Sequence, residues 1–234
     1  MTPALTLWVL TWGPFPRRVL VYLKLKGIPE DAIDIVPVEM TMAGFVNAGE
    51  KPDGTVPILC LGDGTVIHQS MGVLSYLEEV FANIGPNMSG TTAIERARIR
   101  DMCSVIDETM STLFGFVWNT SKLFAEANPK PDKAAGERAL GTAHACLEKL
   151  AGYANESKGT TGYLLRGKTP TLADVTLLTL LQHFELCFGE DLVVGIPRLQ
   201  EFLEEMGRTK GAEAPVYPPG VVELASQRVT YDLQ

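Results

Sequence analysis

The chain has 234 residues, 46% of them hydrophobic and 21% charged, with a formal net charge of −8. That composition supports a packed core and excludes a disordered chain, and the length suits two modest domains. The acidity excludes a general nucleic-acid binder, which needs a basic face to displace counterions, but leaves a small anionic ligand open because such a site needs only a few local donors.

Leu5 to Leu10 is a short apolar run of β-forming residues and predicts a strand. Thr11-Trp12-Gly13-Pro14-Phe15-Pro16 breaks it into a loop. From Arg17 to Lys26 the apolar residues fall at helical spacing, with Val19, Leu20, Leu23 and Tyr22 towards one face and Gly27 as the stop. Arg17 and Arg18 read as a charged, exposed face of that helix, with contact to an anion as the alternative. Ile33 to Val38 predicts a second strand, which completes a β-α-β unit. Residues 40–54, rich in Gly, Asn, Lys and Asp, predict an irregular stretch. Thr55 to Leu61 and Val66 to His68, joined by Gly62-Asp63-Gly64-Thr65, predict a β-hairpin. Gln69-Ser70 marks a helix start, after which Val73, Leu74, Leu77, Val80 and Phe81 repeat at helical spacing.

Asn83 to Thr91 reads as a linker, and beyond it the pattern is helical throughout. Thr92 and Glu95 form a capping box that opens a long helix to about Phe116 or Trp118. A second helix is expected from Lys133 to Ala154, an apolar third from the Thr171-Asp174 cap to about Phe188, and a fourth from Pro197 to Met206. The tail from Gly207, with Pro215, Pro218 and Pro219, reads as extended. The division is therefore residues 1–82, a linker at 83–91 and a helical domain at 92–234.

No apolar run reaches the ~18 residues of a membrane span, and the first ten residues lack the basic segment of a secretory leader. Cys60, Cys103, Cys146 and Cys187 are far apart and form no CxxC pair. Buried, reduced thiols in a cytoplasmic protein are the expectation, with no metal site. HExxH, GxSxG and Walker signatures are absent, so metal hydrolysis, serine-esterase and nucleotide chemistry find no support.

A β-α-β unit, a β-hairpin and a helix, followed by a helical bundle, resemble the glutathione S-transferase superfamily. Three segments carry the resemblance: Pro14-Phe15 with Arg18 and Leu23 to Ile28, similar to omega- and tau-class members; Val56-Pro57-Ile58-Leu59 through Asp63-Gly64 to Gln69-Ser70 and Tyr76-Leu77-Glu78-Glu79; and Pro170-Thr171-Leu172-Ala173-Asp174. The implied fold is an α/β thioredoxin-like N-terminal domain plus an all-α C-terminal domain. The implied co-substrate is glutathione, and the implied assembly is a homodimer.

The resemblance also implies a site. Pro57 would be cis, leaving the Val56 backbone to hold the cysteinyl unit of glutathione like an added strand; a trans Pro at a strand start is the plainer alternative. Gln69 and Ser70, at a helix N-terminus, would take the γ-glutamyl carboxylate, unless Ser70 is only an N-cap. Lys51 and His68 flank that loop as candidates for the glycyl carboxylate. Thr171 and Asp174 read as a structural cap rather than an acid or base.

Glutathione chemistry needs the thiolate, and family members place a Tyr, Ser or Cys after the first strand to stabilise it. Here that position is Gly13. The remaining candidates are the Thr11 hydroxyl and the backbone N–H groups of Trp12 and Gly13 near a helix N-terminus. Phe15, Met110 and Phe114 are expected to line the pocket for the second substrate, and His183 reads as a core histidine. The expectation is a glutathione transferase-like enzyme acting on an apolar electrophile by conjugation, isomerisation or thiol-dependent cleavage. The alternative is a protein of this fold that no longer activates the thiol and serves as a ligand-binding protein, an interaction protein or a glutathione-independent tailoring enzyme.

Overall fold

The first strand, β1 (Leu5–Val9), is apolar at most positions because it runs through the middle of a sheet, with a neighbour on each side. The computed structural model describes residues 5–41, 44–46 and 49–231. In it, β2 (Asp34–Pro37) lies parallel to β1, with Leu7 opposite Ile35. On the other side β5 (Ile58–Leu61) is antiparallel, with Leu7 opposite Leu59, and β6 (Val66–Ile67) returns beside β5 to give the order β2-β1-β5-β6. The short antiparallel pair β3 (Glu39–Thr41) and β4 (Gly44–Val46) stands apart from this sheet. The irregular stretch expected at 40–54 lies partly outside the described residues; its described part contains these short strands.

Helix α1 (Pro14–Lys26) opens on a proline at its first position, where the missing N–H is no loss, and ends at Gly27 in the left-handed conformation, φ +74°. Its arginines correct the expectation of an exposed charged face: Arg17 and Arg18 are only 7% and 1% exposed. The cause is the second domain. Helix α5 (Leu172–Phe188) packs against α1, and the chain after α6 (Pro197–Arg208) crosses the same face. Arg17 Nη2 donates to the Glu213 carbonyl there at 2.6 Å.

The C-terminal end of α1 is clasped to the linker by a buried ion pair. Lys26 and Glu78 lie 2.7 Å apart with side chains 1% and 5% exposed. Glu78 belongs to α2 (Ser70–Val80), and it also accepts from the Tyr22 hydroxyl and from the N–H groups of Met88 and Ser89, all at 3.0 Å. Lys26 donates to the Pro86 carbonyl at 2.9 Å. Burial alone would raise the Glu78 carboxyl, but hydrogen bonds from Lys26 and Tyr22, the Lys26 charge and the Met88 N–H outweigh it and hold the group below its ordinary value. Gly85 sits in this clasp at φ +58°, where a β-carbon would lie 1.9 Å from the Lys26 carbonyl oxygen.

In the helical half, α3 (Ala93–Thr120) begins at the Thr92–Glu95 capping box and pairs with α4 (Lys133–Asn155). At the start of α5, the Asp174 carboxylate accepts from the Thr171 N–H and hydroxyl and from the Leu164 N–H, each at 2.7 Å. Fully buried, it serves the helix start and the preceding loop, and burial raises its pKa. The tail departs from the extended reading, because α7 spans Pro219–Ser226. Pro219 occupies the first helical position, where proline favours a helix rather than breaking one. The chain then ties back to the end of α3: the Val229 N–H donates to the Thr120 carbonyl at 2.8 Å and the Tyr231 hydroxyl donates to the Asn119 carbonyl at 2.6 Å.

Candidate functional site

Helix α1, the start of α2 and the middle of α3 meet at Arg18, Ser70 and Asp107, and the turn into β5 packs with Trp12 of the β1–α1 loop. The Val56–Pro57 bond is cis. Val56 precedes β5, and among the described residues its N–H and C=O have no partner. Nearby, Lys51 Nζ donates to the carbonyls of Pro52 and Gly54 at 2.6 and 2.8 Å, and so fixes the loop that precedes Val56. His68 is exposed beside Gly54, where a β-carbon would stand 3.4 Å from its Nδ1.

Gln69 is the N-cap of α2 but makes no capping bond with its side chain, and the first N–H to close on the Gln69 carbonyl is that of Val73. The start of α2 therefore keeps open N–H groups and the positive end of the helix dipole. Ser70 is 5% exposed, and its Oγ accepts from Arg18 Nη1 at 3.4 Å. The same Nη1 lies 2.6 Å from Asp107 Oδ1 on α3. Arg18 is 4.8 Å from the Phe15 ring centroid, and its buried Nε and Nη2 have no hydrogen-bond partner among the described residues. Asp107, by contrast, is 42% exposed. The group thus presents a hydroxyl and helix N–H donors backed by a buried cation, with a reachable carboxylate alongside. That pattern is complementary to a zwitterion, with one pole for a carboxylate and the other for an ammonium.

Gly13 is buried at the start of α1, with φ −67° and ψ 137°, an ordinary extended conformation for any L-residue. A β-carbon there would stand 3.3 Å from Leu10 Cδ2 and 3.4 Å from the Leu10 carbonyl oxygen, close but not prohibitive. The side chains on either side of it belong to one aromatic arc. Phe15 stacks on Phe114 at 6.2 Å, Phe114 meets His183 at 6.4 Å, His183 meets Tyr217 at 5.7 Å, and Tyr217 meets Trp12 at 6.1 Å. Trp12, Phe15 and Phe114 are half-buried. Met110, one turn before Phe114, is fully buried in the core. Thr11 is exposed and lines a groove of about 1300 Å³ with Leu20, Ile35 and Val216, on which Val56, Gln69 and Ser70 do not lie.

His183 is 4% exposed, and its Nδ1 is 3.2 Å from the Tyr217 hydroxyl. Burial pushes the imidazole down to about 3. Tyr217 is pushed up, first by burial and then by the nearby Cys187. Burial also pushes Cys187 up to about 11 and Cys103 to about 12, so neither is a nucleophile near neutral pH. All four cysteines are free. Among the described residues no group of acidic, His and Cys side chains has the arrangement of a metal site, and no helix is long and apolar enough to cross a membrane.

The structure thus brings Ser70 to Arg18 and Asp107, packs Trp12, Phe15 and Phe114 into one aromatic arc, and places Thr11 on the groove with Leu20, Ile35 and Val216. Asp107, paired with Arg18, and Tyr217, in the aromatic arc, are contacts that sequence reasoning missed. Asp107 carried a signal, since it precedes Met110 and Phe114 by three and seven residues and shares their helix face. Tyr217 carried none, because it lies in the tail between two prolines.

Comparison with known proteins agrees with this architecture. The family model for the glutathione S-transferase N-terminal domain matches residues 12–80, and the one for the C-terminal domain matches residues 133–205. The chain belongs to the glutathione S-transferase superfamily. It is 25% identical over 229 residues to Protein IN2-1 of Zea mays, covering 95% of this chain and 85% of that one. It resembles a Methylobacillus flagellatus glutathione S-transferase solved with glutathione bound, at a TM-score of 0.71 and 21% identity, over 91% of this chain and all of that one. A trimeric Leishmania glutathione transferase gives 0.70 at 21% identity over 89% of this chain, which spans only 44% of that longer protein. Likeness at these identities establishes the fold. Tyr217 lies beyond both matched segments.

Proposed function

We propose that the chain binds glutathione and presents its sulfur, as thiolate, to an apolar electrophile held against the aromatic arc. The observation that carries this is the Ser70–Arg18–Asp107 group at the open start of α2. The γ-glutamyl end of glutathione is a zwitterionic α-amino acid. Its carboxylate suits Ser70 and the helix N–H donors, and its ammonium suits the exposed Asp107 carboxylate. The Val56 backbone, unpaired among the described residues, then meets the peptide portion. Lys51 and His68 stand on the side where the glycyl carboxylate would lie.

Titration calorimetry with glutathione tests the reading. Ser70→Ala removes one hydrogen bond to a charged group, about 1.5–3 kcal/mol, so affinity falls roughly 10- to 100-fold. Asp107→Asn weakens glutathione more than an analogue lacking the α-amino group. No binding at millimolar glutathione, or equal binding by wild type and Ser70→Ala, refutes it.

The alternative, a glutathione-transferase fold without thiol activation, draws on one observation, the absence of a side chain at Gly13. It predicts bound glutathione whose thiol keeps its free pKa. We extend the first reading to assembly as a homodimer, which light scattering on the purified protein checks.

A further inference from the structure

Among the described residues β2 is an edge strand, paired only with β1. The Val38 N–H donates to the Val9 carbonyl at 2.8 Å. Backbone groups alternate in direction along a strand, so those of Asp34 and Val36 also face β1, while those of Ile35 and Pro37 face outwards. Ile35 is 40% exposed. A second extended stretch, Ala214 to Val216, makes no backbone–backbone hydrogen bond among the described residues. Both stretches line the groove of about 1300 Å³, together with Leu20 of α1. That volume exceeds the roughly 300–1,000 Å³ of a pocket for one small molecule. The charge in the groove is divided. Arg17 is the buried charge of its lining, and after its bond to the Glu213 carbonyl its Nε remains buried without a partner among the described residues. Lys24 is engaged with the Glu213 carboxylate at 3.7 Å. Lys210 on the tail side, and Glu30, Asp31 and Asp34 on the β2 side, are exposed and make no ion pair among the described residues.

We propose that this groove holds an extended peptide segment of a partner protein, laid beside β2 as an added strand, with an acidic side chain towards Arg17 and a basic one towards Asp34. The outward N–H and C=O of Ile35 would pair with the peptide backbone, and the unpaired Ala214 and Val216 backbone stands on the other wall of the same groove. Apolar side chains of the peptide rest on Leu20, Ile35 and Val216, which is 90% exposed. An acidic residue supplies the counter-charge that Arg17 lacks, through a charge-assisted bond. Pro37 has no N–H to offer, so the pairing stops there and stays short. A small organic anion would satisfy Arg17 but leave both backbone edges unpaired. A second copy of β2 would bring two acidic Glu30–Asp34 stretches together, which like charge opposes. The site lies apart from Ser70 and Val56, which do not line this groove.

The probe is a phage-displayed library of random heptapeptides, panned on the whole chain, with the recovered peptides then synthesised and titrated by fluorescence anisotropy. The expected sequences carry β-branched residues and an acidic residue. Their affinity falls about tenfold or more in Val216→Asp and in Ile35→Pro; the second change removes only an outward N–H, as at Pro37. Replacing the peptide's acidic residue by glutamine weakens binding roughly 10- to 100-fold, the loss of one hydrogen bond to a charged group, and this loss shrinks in Arg17→Gln. Should Arg17→Gln fail to fold, the backbone contact is read instead from the peptide: N-methylation of alternate amides abolishes binding in one register and spares it in the other. Recovery of no sequence above background overturns the proposal, as does affinity indifferent to Val216→Asp and Ile35→Pro, or to N-methylation in both registers. Displacement of the peptide by glutathione would put it in the other cleft and also overturns it. A mass in light scattering that falls in Val216→Asp would place a second copy of the chain on this face, and overturns it too.

Discussion

Acid should destabilise this protein partly through His183, and the size of that contribution follows from its surroundings. The ring is 4% exposed, enclosed by Phe114, Phe184, Phe188 and Tyr217, and its folded pKa is pushed down to about 3. An unfolded histidine titrates near ~6.5. The folded value is the lower one, so the unfolded chain takes the proton first as pH falls. Stability is therefore complete above about pH 6.5 and is lost progressively down to about pH 3. At about pH 5 the unfolded state gains roughly 1.5 units at about 1.36 kcal/mol each, or about 2 kcal/mol. Cys187, pushed up to about 11, and the raised Tyr217 do not titrate in this window. Urea unfolding of wild type and His183→Phe at about pH 7.5 and pH 5 isolates the term. The phenylalanine variant differs from wild type at pH 7.5 for packing reasons, but its loss of stability between the two pH values should be smaller by about 2 kcal/mol. With a slope near 2 kcal/mol/M that is about 1 M in midpoint. Equal losses in the two proteins would falsify the claim that His183 is buried in its neutral form.

The clasp at the linker gives a second prediction. Glu78→Ala leaves the buried Lys26 ammonium without its carboxylate and should destabilise the protein by about 3–5 kcal/mol, read as a lowered urea midpoint. Wild type should also lose the Glu78 contribution as pH falls below about 4.5, because the folded carboxyl titrates lower than the unfolded one; a Glu78→Gln stability profile that falls as steeply in acid removes that assignment. Gly85→Ala drives a β-carbon into the Lys26 carbonyl at positive φ and should lower the thermal midpoint more than Gly141→Ala, which meets nothing within 4 Å on an α4 face. Gly13→Cys needs only a small shift of Leu10, so the variant should fold and, with oxidised glutathione, gain one glutathionyl group by mass spectrometry; a folded variant that stays unmodified would place the sulfur away from α1.

Much of this molecule was legible because its local signals agree with its packing. The Thr92–Glu95 box, the Thr171–Asp174 cap and the turn after Leu61 each name their partners within a few residues. Reading failed where distant chain supplies the partner. Arg17 and Arg18 look like a solvated face in isolation, and it is the Glu213 carbonyl, the Asp107 carboxylate and the Ser70 hydroxyl that make their burial affordable. Pro218-Pro219 looks like a break, until the second proline is seen to occupy the start of α7.

The same distinction separates the two halves of the candidate site. The half proposed to hold the tripeptide is local: cis-Pro57, Val56, Gln69 and Ser70 lie within fifteen residues of one another on a hairpin and the helix that follows it. The half that would set reactivity is assembled from α1, α3, α5 and the tail, over some two hundred residues of sequence. Gly13 alone therefore does not decide whether the thiol is activated. Its neighbours Trp12 and Phe15 are packed into the arc that also contains Phe114, His183 and Tyr217. The Lys26–Glu78 clasp ties α1 and α2 to the linker at Met88 and Ser89, a few residues ahead of α3. Loosening the clasp with a mild substitution such as Glu78→Gln should therefore raise the thiolate midpoint of bound glutathione even where the protein stays folded, a coupling that a site built wholly within the first domain would not show.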